Sequence, residues 1–256
     1  MPNLSDKGIY LPPSPIRKLV PFAEAAKRRG IKVYHLNIGQ PDIRTPQVAV
    51  DAVKNIHDQV FEYGHSAGNE SYRRKLADYY RGVGIDVTTD DMVITVGGSE
   101  AIFMAMTICL NPGDEVLVPS PGFLLYYSSI PMLHAVPVPY VLKEPDYDWD
   151  GAPVSDRTKL MIFNNPNNPT GKVFSAEEMR DAADFVKKHD LLAISDEAYD
   201  RLLYGDARHR SLAAEPDMRE RTLLVGSLSK TYSMTGWRLG YVAGAPELIE
   251  RLARLQ

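Results

Sequence analysis

One cysteine, no apolar run long enough to span a bilayer and no excess of basic residues mark this 256-residue sequence by what it lacks. Cys109, in AIFMAMTICL, has no second thiol to pair with, so an internal disulfide is excluded and a reducing compartment is expected. A formal net charge of −4 leaves no basic footprint and argues against nucleic acid as a partner. The first residues, MPNLSDKGIY, lack the basic-then-apolar pattern of a secretory signal, and no segment reads as a membrane span. A soluble, cytoplasmic protein is the expectation. The six histidines show no metal-ligand spacing; His57 and His65 read as coming from a helix and a loop with no partner. Repeats and low-complexity tracts are missing too.

What is present is an ordinary globular composition, 44% hydrophobic, with ample material for a core. LPPSPIRKLV reads as an extended N-terminal arm, and PFAEAAKRRG as a short helix stopped at Gly30. KVYHLNIGQPD reads as a strand ending in a Gly/Pro/Asp turn. Residues 45–81 have a helical pattern interrupted by YGHSAGN. Short β-branched runs then follow at 92–96, 115–119, 135–139, 160–163, 191–195, 222–226 and 239–243. Helical stretches such as 101–110 and 176–188 separate several of them, the second opening with Ser175 and Glu178 at capping-box spacing. Apolar strands alternating with helices predict an α/β fold with a roughly seven-stranded, mostly parallel sheet between helices.

PELIERLARLQ begins a last helix, with Pro246 at its start and Leu248, Ile249, Leu252 and Leu255 on one face. It reaches Gln256 without a cap. A helix with such a stripe packs on something, so the expectation is a chain that has been cut, with the stripe left exposed and prone to aggregate.

The chemistry centres on VGSLSKTYSMTGWRLGY. A P-loop would need glycine directly before Lys230 and another five residues before that one; those positions hold Ser229 and Leu224, and the reading fails. A better phosphate cradle is MVITVGGSEAIFMAM, where Gly97 and Gly98 turn the chain and Ser99 sits at a helix start with its free N–H groups. A plain strand-to-helix turn reads equally well. FNNPNNPTG places Asn168 after an apolar strand, and AISDEAYD places Asp196 and Tyr199 after another. Asp196 also suits a helix cap. Together, four strand ends supply Ser99, Asn168, Asp196 and the cluster Ser227, Ser229, Lys230 and Arg238. In open α/β sheets that edge binds ligands. The set suits a phosphorylated, aromatic, carbonyl-bearing ligand, and a lysine near an arginine in a partly dry pocket is disposed to react as a free amine.

At these residues the chain resembles the class I/II, fold type I aminotransferases of the aspartate aminotransferase superfamily, which depend on pyridoxal 5'-phosphate (PLP). The matching motifs, NIGQPD, YGHSAGNESYRRKLADYY, TVGGSEAI, NNPNNPTG, SDEAYD and SLSKTYSMTGWRLGY, run in order from Ile38 to Tyr241. The resemblance implies that Lys230 carries the cofactor covalently and shuttles the proton, and that Asp196 pairs with the pyridine nitrogen. It implies that Asn168 and Tyr199 bond the ring's phenolic oxygen, and that Gly98, Ser99, Ser227, Arg238 and Ser229 hold the phosphate. Phe123 takes the place of the aromatic that stacks on the ring. Tyr63 matches a tyrosine that reaches the phosphate of the other subunit, which implies a homodimer with shared sites. Gly39 lies in the loop that approaches the substrate's carboxylate. Trp237 and Cys109 read as packing residues.

The resemblance further implies residues 1–44 as an N-terminal arm with part of a small domain, and 45–256 as a PLP-binding large domain incomplete at its C-terminal end. Family members continue into a C-terminal small domain carrying the arginine that binds the α-carboxylate, which this sequence does not contain. KEPDYDWDGAPVSDRTKL is short for the family, with room only for a loop. The activity implied is transfer of an α-amino group between an amino acid and a 2-oxo acid. A PLP-dependent carbon–sulfur β-lyase, or a PLP-binding module without efficient turnover, are the alternatives.

Overall fold

The computed structural model describes residues 2–5, 8, 9, 14 and 16–256. The chain divides into two units, Met1–Asp42 and Ile43–Gln256. In the first, a 3₁₀ turn (Arg17–Leu19) runs into helix α1 (Val20–Arg28), with Pro21 in its first turn, where no N–H partner is lost. The helix stops as its sequence suggests: the N–H groups of Gly30 and Ile31 close back on the carbonyls of Lys27 and Ala26 at 2.9 and 3.1 Å. Of the extended arm expected from LPPSPIRKLV, residues 11–13 and 15 lie outside the described residues, and its second half is not extended, since Arg17–Leu19 make the 3₁₀ turn and Val20 opens α1. The strand expected from KVYHLN is not formed. Residues 32–37 have no regular structure, Tyr34 and Leu36 are exposed, and among the described residues of this unit no strand is present to complete a ladder.

The second unit begins with α2 (Gln47–Lys54) and α3 (Glu70–Gly82). The helical pattern expected to continue to YGHSAGN ends at Lys54, and 55–69 are irregular, so His57 sits in a loop rather than a helix. Ile56, Val60 and Phe61 are exposed there, and a helix through them would have no core to bury its apolar face. From residue 92 onward all seven expected strands form: β1 (Met92–Thr95), β2 (Glu115–Ser120), β3 (Val136–Val141), β4 (Thr158–Asn164), β5 (Leu192–Asp196), β6 (Thr222–Ser227) and β7 (Gly240–Ala243). They make one sheet in the order β1-β7-β6-β5-β4-β2-β3. β3, β2, β4, β5 and β6 run parallel, and β7 is antiparallel to both its neighbours, β6 and β1.

Alternation along the strands sends apolar side chains to both faces. Leu160 and Ile162 of β4 join α4 (Gly98–Cys109) and α5 (Leu124–Met132) on one side. Met161 and Phe163 meet α6 (Ala176–Lys188) on the other, while Leu76, Ala77 and Tyr80 of α3 cover Met92, Leu224 and Tyr241. The α6 capping box forms as its spacing predicts, with Glu178 N–H donating to Ser175 Oγ at 3.2 Å and Ser175 N–H to Glu178 Oε2 at 2.7 Å. The segment before β4 is a loop, as its length requires. After the one-turn helix α7 (Leu228–Thr231) and β7 comes α8 (Pro246–Ala253). Its stripe is not left open: Ile249 and Leu252 are 3% and 0% exposed and pack with Ala101, Ala105 and Val93, with Leu248 beside them; only Leu255 remains exposed. The stripe packs on what precedes it in the chain.

Candidate active site

Strand register aligns the C-terminal ends of the central strands. Asn164 of β4 lies opposite Asp196 of β5, which lies opposite Val225 of β6, two residues before Ser227. β7 then places Gly240 beside both Thr95 and Ser227, which draws the turn after β1 to the same edge. A cavity of about 220 Å³ opens there. Gly98, Ser99, Phe123, Asn168 and Asp196 line it, and so do Tyr199, Ser227, Ser229, Lys230 and Arg238. Ten residues singled out from scattered motifs thus share one wall. Tyr63 is not among them; its side chain is fully exposed. Gly39 lies in the N-terminal unit, in an irregular segment after the turn at 36–38.

One part of the wall is built around close backbone. Gly97 has φ +84°, and a Cβ on it would lie 2.3 Å from Arg238 Nη2. A Cβ on Gly240 would lie 2.4 Å from the carbonyl carbon of Gly97. Both positions therefore require glycine. Arg238 itself holds a left-handed conformation (φ 57°, ψ 53°) and donates to the carbonyls of Thr235 and Val96 at 3.0 and 3.3 Å. α4 starts at Gly98, so Gly98 and Ser99 present unpaired N–H groups beside that guanidinium. Ser227 caps α7 by accepting from Ser229 N–H at 3.2 Å. Hydroxyls, free N–H groups and a guanidinium together make an anion cradle.

The other part is centred on a buried acid. Asp196 is 3% exposed; its Oδ2 accepts from Tyr126 Oη at 2.5 Å and its Oδ1 from Ala198 N–H at 3.2 Å. Burial pushes its carboxyl above the usual range, the Tyr126 and Ala198 donors oppose that, and the neighbouring Glu197 charge adds to it. Asn164 ties the strand ends together, donating from Nδ2 to the Asp196 carbonyl at 3.0 Å and accepting Asn168 N–H at 2.7 Å. Burial, then the Asp196 charge, raises the Tyr199 phenol. Lys230 is half-buried, and burial followed by the Arg238 charge lowers its amine below the usual lysine value. Phe123 is half-buried, its ring edge-on to Tyr126 at 5.6 Å.

Sequence reasoning missed Tyr126 and Asn164. In FLLYY the choice between Tyr126 and Tyr127 depends on the phase of α5, which nine residues with no clear apolar face do not disclose. Asn164 is the first of four similar asparagines and has no distinguishing neighbour. Among the described residues no cluster of His, Cys, Asp and Glu side chains is placed to hold a metal, and no helix is long and apolar enough to cross a membrane.

The chain is similar to known proteins over nearly its whole length. Residues 31–256 match the family described as aminotransferase class I and II. An aspartate aminotransferase from Pyrococcus abyssi is 36% identical over 99% of this chain, and an aromatic-amino-acid aminotransferase from Thermococcus litoralis is 34% identical over the same share. The chain spans 66% of the length of each of these relatives. The aspartate aminotransferase of Thermus thermophilus solved with maleate superposes with a TM-score of 0.92 at 33% identity, over 100% of this chain and 68% of the other.

Proposed function

Because the chain belongs to the class I and II aminotransferase family, we propose that it works as an aminotransferase, moving an α-amino group between an amino acid and a 2-oxo acid with PLP held in the 220 Å³ cavity. The observation that carries this is the convergence of an amine, Lys230, with a buried acid, Asp196, and an anion cradle in one cavity. The donor set fits PLP. The cradle of Gly98, Ser99, Ser227, Ser229 and Arg238 matches a phosphate, and the glycine at 97 keeps the space beside the guanidinium clear. When bound, PLP supplies an electron-accepting ring that makes the substrate's Cα–H acidic.

The chain's own residues would do the rest. Asp196, shielded from water, would hold the proton on the ring nitrogen, Asn168 and Tyr199 would orient the ring through its phenolic oxygen, and Phe123 would pack against the ring. Lys230, whose amine is lowered from the usual lysine value by burial and then by the Arg238 charge, would hold PLP covalently and move a proton at its Nζ. Tyr63, fully exposed on a surface that also shows Val60 and Phe61, is assigned to the phosphate of a second copy in a homodimer. Gly39 is assigned to the substrate's carboxylate. Residues 45–256 form the PLP-binding domain in this reading, and 1–44 an arm with part of a smaller one.

The relatives' names favour transamination over β-elimination, and they span aspartate and aromatic amino acids. The test is an absorbance spectrum of the PLP-loaded protein with a panel that includes both classes. Conversion to the amine form of the cofactor, reversed by a 2-oxo acid, supports the reading; release of ammonia and pyruvate from a sulfur amino acid instead would replace it with the lyase. Borohydride should fix the pyridoxyl group on Lys230, and a label on Lys159 or Lys172 would overturn the assignment.

A further inference from the structure

α7 is a single turn, Leu228–Thr231, and four residues cannot hold a helix by their own hydrogen bonds. Inside the turn, the Thr231 hydroxyl finds only a long contact, 3.5 Å to the Ser227 carbonyl. Its shorter contact leaves the turn: Oγ1 donates to Asp200 Oδ1 at 3.1 Å. The other carboxylate oxygen accepts from Tyr79 Oη on α3 at 2.6 Å, and Asp200 N–H bonds the Glu197 carbonyl at 3.0 Å. Arg201 closes the group, its guanidinium 4.6 Å over the Tyr79 ring and its Nε 3.9 Å from Asp200. Asp200 is 13% exposed at its side chain. One carboxylate thereby joins three pieces: α3, the turn that carries Asp196 and Tyr199, and the turn that carries Lys230.

We propose that Asp200 is a positioning residue for Lys230, acting through the Thr231 hydroxyl to hold α7 in register with the Asp196–Tyr199 turn. The role rests on the reading of Lys230 as the amine that takes PLP. With the anchor gone, α7 frays at its C-terminal end and the Lys230 side chain gains water. The charged and titratable groups that line the cavity with Lys230, namely Arg238, Asp196 and Tyr199, stay in place, so the change falls on the amine's hydration.

The amine can be read without cofactor. The purified chain, freed of PLP, is labelled with trace acetic anhydride across a pH series, and the Lys230 peptide is quantified by mass. Thr231→Val removes the hydroxyl at constant charge and similar shape. It should raise the apparent pKa of Lys230, and each half-unit of rise slows labelling below that pKa about threefold. Asp200→Ala should act in the same direction, and Asp200→Ala with Thr231→Val should be no slower than either alone. Asp200→Asn keeps an acceptor for Thr231 and should restore most of the rate. If Asp200→Ala does not fold, Thr231→Val decides. An unchanged profile in Thr231→Val overturns the proposal, as does faster labelling in Asp200→Asn, which would mark a pure charge effect. PLP and borohydride on the unaltered chain separate the two readings. A pyridoxyl group away from Lys230 refutes the amine assignment, whereas one on Lys230 with unchanged labelling in Thr231→Val refutes the positioning role alone.

Discussion

Tyr126 donates a 2.5 Å hydrogen bond to Asp196 Oδ2, and neither side chain is open to solvent, at 0% and 3% exposure. The phenol lies on α5, the acid at the end of β5, so the bond also fixes one element on the other. Tyr126→Phe keeps the ring and removes the donor, leaving a buried carboxylate short of a partner. It should destabilise the chain by about 1–3 kcal/mol in urea unfolding and weaken PLP binding. Full stability with full PLP affinity would show that the bond does neither.

Asp196→Asn tests the acid itself. The carboxyl's folded-state pKa is raised, so the folded chain binds a proton more readily than the unfolded one, and ionisation opposes folding. The penalty is absent below the unfolded value of about 3.9, grows as pH rises to the raised folded value, and is complete above it. Without cofactor, the Asn variant should therefore melt higher than the unaltered chain at pH 7 and lose that advantage towards pH 4. Amino-acid-driven conversion of PLP should fall sharply in the same variant. A lower melting temperature at pH 7 would contradict the linkage.

Gly97→Ala drives a methyl to within 2.3 Å of Arg238 and strains a positive φ. PLP affinity should drop about tenfold or more, the loss of at least one charge-assisted contact to phosphate. Affinity for pyridoxal, which lacks the phosphate, should change far less. Equal losses for both ligands in equilibrium dialysis would move the cradle elsewhere.

Mixing Lys230→Ala chains with Tyr63→Phe chains should restore activity above either parent, because hybrid dimers contain one unaltered site. Proven subunit exchange without that rise would remove Tyr63 from the partner's site.

The packing of α8 has its own test. Leu252 is fully buried against α4 and β1, so Leu252→Ala should cost about 2–5 kcal/mol. An effect below half of one kcal/mol would mean the stripe is not part of the core.

Much of this was readable in the sequence because local and global signals agree. The seven strands are short apolar runs, and four strand ends carry the polar residues that line the cavity. Failures cluster where an element depends on something distant. KVYHLN has strand composition but no described strand to pair with, and 55–62 has helical apolar spacing but no core beneath it. The stripe of α8 suggests a missing partner because periodicity shows that a face is buried, not against what. Tyr126 required a helix phase, and the Asp200–Thr231 link joins residues 31 apart with no shared motif.

β1 and β6 never touch one another as paired strands; each is held by β7, which lies between them and runs opposite to both. A ribosome therefore makes β1 long before the strand that joins it to β6, whereas β6 precedes that strand by only a short turn. Until Gly240 and its neighbours emerge, β1 has no ladder at all, and the turn at Gly97 has nothing to press it against Ser227. At about 5–20 residues per second, the interval between synthesis of residue 95 and residue 243 lasts several seconds or more. The anion cradle is thus the last part of the sheet edge to be assembled during translation, closed by the insertion of a central strand rather than by the addition of an outer one.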